Sequence, residues 1–388
     1  MSDDNRGKIY TGQKSFTCFK FCGVWEQPKC TTRWKLIFYR IYSFCIVTMY
    51  FIFTCSICMH LFQKHKDNDA FSQSLFYSST FVMSFIKIVI ILKKREIFMK
   101  TQEMLMSEVC RPQDHWEVEI LFNYSLKGRK LSFYHLIGVH ISGTMVLMLP
   151  LTSLSNISLP IPCWIPFSFE SKFVFSLLYL QQIICVFVVV NINGGMETLA
   201  MSILLQMCGQ LEILMYRFDS LSKLPQSNNN KLVNCYHETE ITKRCIKNHL
   251  HLYAISENIS KQFGSLIIMQ FFASMILICI IIYNLSKMSL TNEHSWLMIS
   301  YASSFTLQIF IYCYFGHQMT DKSSEIGTAI YFINWHALTL KTKKSLIIIM
   351  MRSARPIKLI AVSVIVMSLE TFMKIIKTSY TGYNLLKN

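Results

Sequence analysis

Seven stretches of this chain stay apolar for about 20 residues or more, the length needed to cross the hydrocarbon of a bilayer. They are Leu36–Phe62, Ala70–Leu92, Leu131–Thr152, Ser171–Gly195, Phe263–Leu285, Ser295–Gly316 and Ile357–Leu386. No other feature narrows the choice of fold as much. Lipid offers nothing to bond a backbone N–H or C=O, so each stretch must satisfy its own amides as a helix. Charged residues make up 15% of the chain and hydrophobic residues 52%, with a mean hydropathy of +0.35. A soluble domain carries nearer a quarter charged residues. The expectation is an all-α membrane protein with seven transmembrane helices.

Lys and Arg set the orientation, because they collect on the cytoplasmic side. The N-terminal arm has Arg6, Lys8, Lys14, Lys20, Lys29, Arg33 and Lys35. The loops after the second, fourth and sixth runs are equally basic, with Lys93–Arg95, Lys127–Lys130, Arg217–Lys261 and Lys341–Arg355 among their stretches. The remaining three loops offer only Lys64, Lys66, Lys172 and Lys287. This predicts a cytoplasmic N-terminus and an extracellular C-terminus, inverted relative to G-protein-coupled receptors. No apolar run precedes about residue 36, so the first span is expected to direct insertion. The net charge of +16 follows from these loops, and no nucleic-acid-binding motif accompanies it. Asn156 heads a sequon in a predicted outside loop. The stretch LPIPCWIPF (Leu159–Phe167) has three prolines that force an extended, lid-like path. METLAMSILLQMCGQLEILMYRF continues the fourth run at helical spacing and is expected to carry it into the cytoplasm, ending before an exposed loop at Asn228–Asn230.

The fourteen cysteines lie mostly in apolar runs, where packing is the ordinary role. Cys55 and Cys58 form a C-x-x-C inside a span, and Cys18, Cys22 and Cys30 lack the second half of a zinc site. No cofactor, metal or enzyme constellation is expected. Lys87 and Arg40 sit near predicted cytoplasmic span ends, where snorkelling accounts for them.

The final run is unlike the others. Ser363, Glu370, Lys374, Lys377, Thr381, Asn384 and Asn388 fall within roughly 80° on a helical wheel, opposite Phe372, Ile375, Ile376, Tyr383 and Leu386. Lipid solvates such a stripe poorly, so it must face a polar partner helix within the subunit or water in a pore.

The segment AIYFINWHALTLKTKKSLIIIMMRSARPIKL (Ala329–Leu359), followed by SLETFMKIIKTSY (Ser368–Tyr380), resembles the C-terminal signature of insect odorant receptors. The matching residues are Trp335, Lys343, Lys344, Pro356, Phe372, Ser379 and Tyr380. The inverted seven-span layout and the Leu159–Pro166 element are similar too. The resemblance implies an odorant-gated, non-selective cation channel in the plasma membrane of olfactory sensory neurons, a heterotetramer with obligate co-receptor subunits. The chain lacks the co-receptor's long insertion between spans four and five, so it resembles a ligand-tuning subunit. Residues 1–317 would form the cytoplasmic arm and six-helix bundle, 318–356 a cytoplasmic assembly anchor, and 357–388 the pore-lining helix. The anchor would knit subunits around Trp335, Lys343, Lys344 and Met351. The polar face offers Thr381 and Asn384 to a pore. The family places bulky gating residues on the last two turns, here Tyr383 or Leu386, and both faces stay open.

The resemblance also implies an odorant site in the outer half of the bundle. Candidates are Phe76, Tyr77, Thr80 and Phe81 on span two, and His140, Thr144 and Met148 on span three. Span four offers Phe175 and Tyr179, and span six offers Tyr301 and Ser304. Aromatic and Met side chains suit a small volatile molecule held by apolar burial. Each is also an ordinary packing residue, and His140 is equally accounted for by a bond to a neighbouring helix. Tyr179 and Ser304 are the expected donors of a single hydrogen bond to an ester, aldehyde or alcohol oxygen. The alternatives are a gustatory-type channel, a G-protein-coupled receptor, which needs the opposite orientation, and a transporter, which would show internal repeats.

Overall fold

The computed structural model describes residues 12–26, 33–64, 68–152, 159–166, 171–222, 231–287, 293–362 and 364–387. Within them the helices are α1 (Gln13–Phe21), α2 (Arg33–Gln63), α3 (Asn68–Leu105), α4 (His115–Thr152), α5 (Lys172–Ser222), α6 (Lys231–Lys287), α7 (Glu293–Tyr331), α8 (Leu340–Ser353) and α9 (Leu369–Lys387). Five of them, α2 to α6, are long and apolar enough to cross a membrane by length and composition. The helices α7 and α9 stand beside them, both packed on α6.

α5 is the axis of the bundle and packs against α1, α2, α3, α4, α6 and α7. Its middle stretch is buried almost without interruption from Val190 to Leu214, as expected of a helix that is apolar on every side. At 1.5 Å per residue its 51 residues span about 77 Å, more than twice the thickness of the hydrocarbon layer. The expected extension of the fourth run is therefore part of one rod, while Asn228–Asn230 and Asn156 lie outside the described residues. The outward face of α2 carries Trp34, Phe38, Phe44 and Phe62, all strongly exposed in the protomer. Lipid would cover that surface.

Small residues set the closest approaches. A methyl group on Gly195 would lie 2.6 Å from the Phe19 ring, so the N-terminal helix α1 rests on bare backbone of α5. Ser15 and Thr198 hydroxyls meet at 2.8 Å in the same interface. A methyl on Gly316 of α7 would lie 2.6 Å from Cβ of Met367, just ahead of α9.

The last span differs from expectation. It was expected to start at Ile357, yet α9 begins only at Leu369. Residues Ile360–Ala361 and Ile365–Val366 pair instead as a short antiparallel hairpin, with Ile360 opposite Val366. The cause is the density of β-branched residues after Pro356, which hydropathy cannot distinguish from helix. Val362 takes a left-handed backbone (φ 47°) in the turn. Ser368 then starts the helix, its hydroxyl accepting a bond from the Thr371 N–H at 3.2 Å. Ser363 and Asn388 of the anticipated stripe fall outside the described residues. Glu370, Lys374, Lys377, Thr381 and Asn384 are exposed, whereas Phe372, Ile375, Ile376 and Ser379 are wholly or partly buried. The inner face packs on α6 and α7, with Phe372 edge-on to Phe310 at 5.5 Å.

Candidate functional site

A cavity of about 470 Å³ lies between α3, α4, α5, α6 and α7. Each element contributes one face. From α3 come Phe76, Tyr77, Ser79, Thr80 and Phe81, a run of aromatics and small hydroxyls. From α4 come Tyr134 and His135, then the smaller Gly138, Val139, Ser142, Gly143 and Val146. This face of α4 makes room in two ways. A methyl on Gly143 would meet Val190 Cγ2 at 2.6 Å, so α4 and α5 touch there, whereas a methyl on Gly138 would meet nothing within 4 Å. α7 adds Tyr301, Ser303, Ser304, Phe305 and Gln308. Phe76 and Tyr301 rings lie 4.3 Å apart, closing one wall.

The segment 159–166 closes another wall through Ile161, which is buried and lines the cavity. Gln182 of α5 holds this segment with both ends of its amide. Its oxygen accepts from Ile161 N at 2.9 Å and its nitrogen donates to Ile161 O at 3.0 Å. Trp164 N donates to Ser56 O of α2 at 3.2 Å, and the Ser56 hydroxyl donates back to Trp164 O. The proline-rich stretch is thus tied down at two points.

Comparison with known proteins places this architecture. A family model described as 7tm Odorant receptor matches residues 67–380. The chain belongs to the odorant receptor family. Odorant receptor 46a, isoform A, of Drosophila melanogaster is 22% identical to this receptor over 382 residues, covering 98% of this chain and 97% of that one. Putative odorant receptor 85d of the same species is 24% identical over 231 residues, which is 59% of this chain and 54% of that relative. Some matches thus span about half of the relative, and that to 46a spans nearly all of it. The insect olfactory receptor OR5 from Machilis hrabei, solved in complex with eugenol, shares the fold with a TM-score of 0.84 at 15% identity, over 97% of both chains. A second structure of the same receptor gives 0.84 at 16% identity, over 96% of both chains. With its long apolar helices, this odorant receptor is a multi-pass membrane protein.

The receptor brings together Phe76, Tyr77, Thr80, Phe81, Tyr301 and Ser304 around the cavity. His140, Thr144, Met148, Phe175 and Tyr179 do not line it. On α4 the lining residues 138, 142 and 146 lie on the opposite side of the helix from 140, 144 and 148. Met148 is 60% exposed, and Thr144 bonds the carbonyl of Ile141. His140 Nδ1 lies 2.8 Å from Leu136 O on its own helix, not on a neighbour. Tyr179 donates to Leu147 O at 2.7 Å. Of the pore candidates, Thr381 and Asn384 are exposed and Tyr383 is half-buried beside Tyr380. The Leu386 side chain lies outside the described residues. Of the assembly candidates, Trp335 donates to Tyr331 O at 3.2 Å, Lys343 is half-buried, and Lys344 and Met351 are exposed.

A buried ionic cluster joins the cavity where Glu197 and His135 line it. Lys87 Nζ lies 3.6 Å from Glu197 Oε1 and donates to Asn193 Oδ1 at 2.6 Å. His135 Nε2 lies 2.7 Å from Glu197 Oε2, and Asn193 donates to Ser84 Oγ at 2.8 Å. Lys87 is 2% exposed, so snorkelling does not account for it. Position near a span end suggested water, but the residue is charge-paired across three helices. His135 and Glu197 escaped notice because nothing in the sequence marks them as partners, being 62 residues apart.

Proposed function

We propose that this chain is the odorant-binding subunit of a heteromeric, odorant-gated, non-selective cation channel. A small volatile molecule, apolar or weakly polar, occupies the cavity, and a central pore opens together with co-receptor subunits in the plasma membrane of olfactory sensory neurons. The N-terminus is cytoplasmic and the C-terminus extracellular. The observation that carries this reading is the cavity itself, within the size range of small-molecule sites and walled mainly by apolar and aromatic groups. Each methylene buried there contributes about 0.8 kcal/mol. One hydrogen bond contributes about 1 kcal/mol net. Shape and chain length therefore dominate affinity, and polar contacts adjust selectivity.

Two further features support assembly around a shared pore. The exposed stripe of α9, including Thr381 and Asn384, suits an aqueous path. Residues 318–356 act as the anchor between subunits, where Phe332 is 79% and Met351 72% exposed. Apolar surface of that kind outside the bilayer calls for a protein partner. The test is co-expression with a co-receptor and current recording against a panel of volatiles. Phe76→Ala and Tyr301→Ala are expected to shift the odorant response without loss of surface protein. Absent currents, or cavity variants with unchanged responses, would overturn the reading.

A further inference from the structure

The serine and threonine hydroxyls around the cavity share one property. Each has its proton committed within the protein. Ser79 and Thr80 donate to Phe76 O at 2.9 and 3.0 Å. Ser303 and Ser304 donate to Ser300 O at 2.7 and 2.9 Å. Ser142 lies 3.2 Å from Gly138 O, 3.0 Å from Ser300 Oγ and 3.4 Å from Ser304 Oγ, and whichever of these takes its single proton, the proton stays within the protein. What these side chains still offer a guest is oxygen lone pairs. Glu197, at the polar end, adds two carboxyl oxygens, 3.6 Å from Lys87 Nζ and 2.7 Å from His135 Nε2. The competing donors are the phenols of Tyr77, Tyr134 and Tyr301, the NH2 of Gln308, whose oxygen accepts from Gln270 at 2.9 Å, and the amide of Asn193, already bonded to Ser84 and Lys87.

The polar lining is therefore rich in acceptors. A ligand that only accepts must displace an internal bond before a serine can donate to it. A ligand that donates finds several oxygens ready, including the serine group that links α4 to α7. We infer that the cavity selects volatile ligands bearing a hydrogen-bond donor, a hydroxyl, phenol or amine head on an apolar body, over ethers, esters and ketones of the same shape. This reverses the expectation that Ser304 and Tyr179 would donate to a carbonyl, since their protons are held by Ser300 O and Leu147 O. The inference rests on the ligand-site reading above and names its chemical class.

The test is direct binding to the purified full chain in lipid nanodiscs, read as ligand-induced thermal stabilisation and independent of channel activity. The probes are 1-octanol, octylamine, heptyl methyl ether and 2-octanone. The alcohol or the amine is expected to bind at least fivefold tighter than the ether and the ketone. A preference for octylamine would assign Glu197 as the acceptor, and a preference for 1-octanol would assign the serines. Ser142→Ala combined with Ser304→Ala is expected to reduce alcohol discrimination to within about twofold while ether affinity holds. Equal or tighter binding of the ether or ketone overturns the inference. Donor selectivity without odour-evoked current would sustain it and overturn the channel reading. No binding by any probe would overturn both.

Discussion

At the scale of single residues, the ion cluster of Lys87, Glu197 and His135 is the most exacting feature. Removing Lys87 leaves Glu197 with His135 alone beside it, and losing one partner of a buried ion pair costs about 3–5 kcal/mol. Lys87→Met is expected to lower stability by that amount and to reduce surface protein. Combining it with Glu197→Gln removes the orphan charge and should recover most of the loss, measured by thermal unfolding in detergent. A second residue acts through pH. His249, on α6 outside the apolar run, is buried, and burial with the nearby Arg352 pushes its pKa down to about 4. The unfolded chain takes up that proton first, near pH 6.5. Stability is full above about pH 6.5 and falls toward pH 4, by up to about 1.4 kcal/mol per pH unit. Unfolding of the wild type and His249→Phe between pH 7.5 and 4.5 checks this. The variant keeps the ring contact with Tyr253 at 5.1 Å and should show a flatter profile. None of this was legible in the sequence, because a charged residue's partner is set by packing. Lys87 read as a snorkelling side chain for that reason.

At the scale of elements, legibility depended on side-chain size. The aromatics of α3 marked their own face, and Phe76, Tyr77 and Phe81 do line the cavity. α4 misled in the opposite direction. Its Met148 lies outside the cavity, and beyond Tyr134 and His135 the lining face is made of small residues, Gly138, Ser142 and Gly143 among them. Space is created by what is missing, and a sequence scan for bulky apolar groups passes over it. Gly138→Leu tests this face directly, since the added carbons enter open space. The longest active homologue in an alcohol series is expected to shorten while surface protein stays level. Each methylene that no longer fits should raise the half-maximal concentration roughly fourfold, equivalent to about 0.8 kcal/mol. The start of α9 was misplaced because hydropathy treats Ile360–Val366 as one more apolar run. β-Branching and Pro356 make it a hairpin.

For the whole molecule, the order of the long helices was legible because bilayer thickness fixes their length. Their mutual contacts were not, since α5 touches six other helices through residues far apart in sequence. The exposed face of α9 presents two lysines for one glutamate, and Lys374 is paired with Glu370 at 2.6 Å. Lys377 is left as the positive excess on this stripe, repeated around any pore built from identical copies. Such a field opposes cation passage. Cells expressing this chain alone are expected to give little odour-evoked current, and co-expression with a subunit of more neutral pore helix should restore it. Robust current from the chain alone would contradict this.

Met367 presses on Gly316 with no room for even one carbon between the two backbones. Ser304, at the ligand cavity, lies twelve positions up the same rod, about 18 Å away. Two parts that meet with no slack cannot slide before they push. A guest that tilts α7 by a fraction of an ångström would therefore move the root of the terminal helix at once, with no lost travel in between.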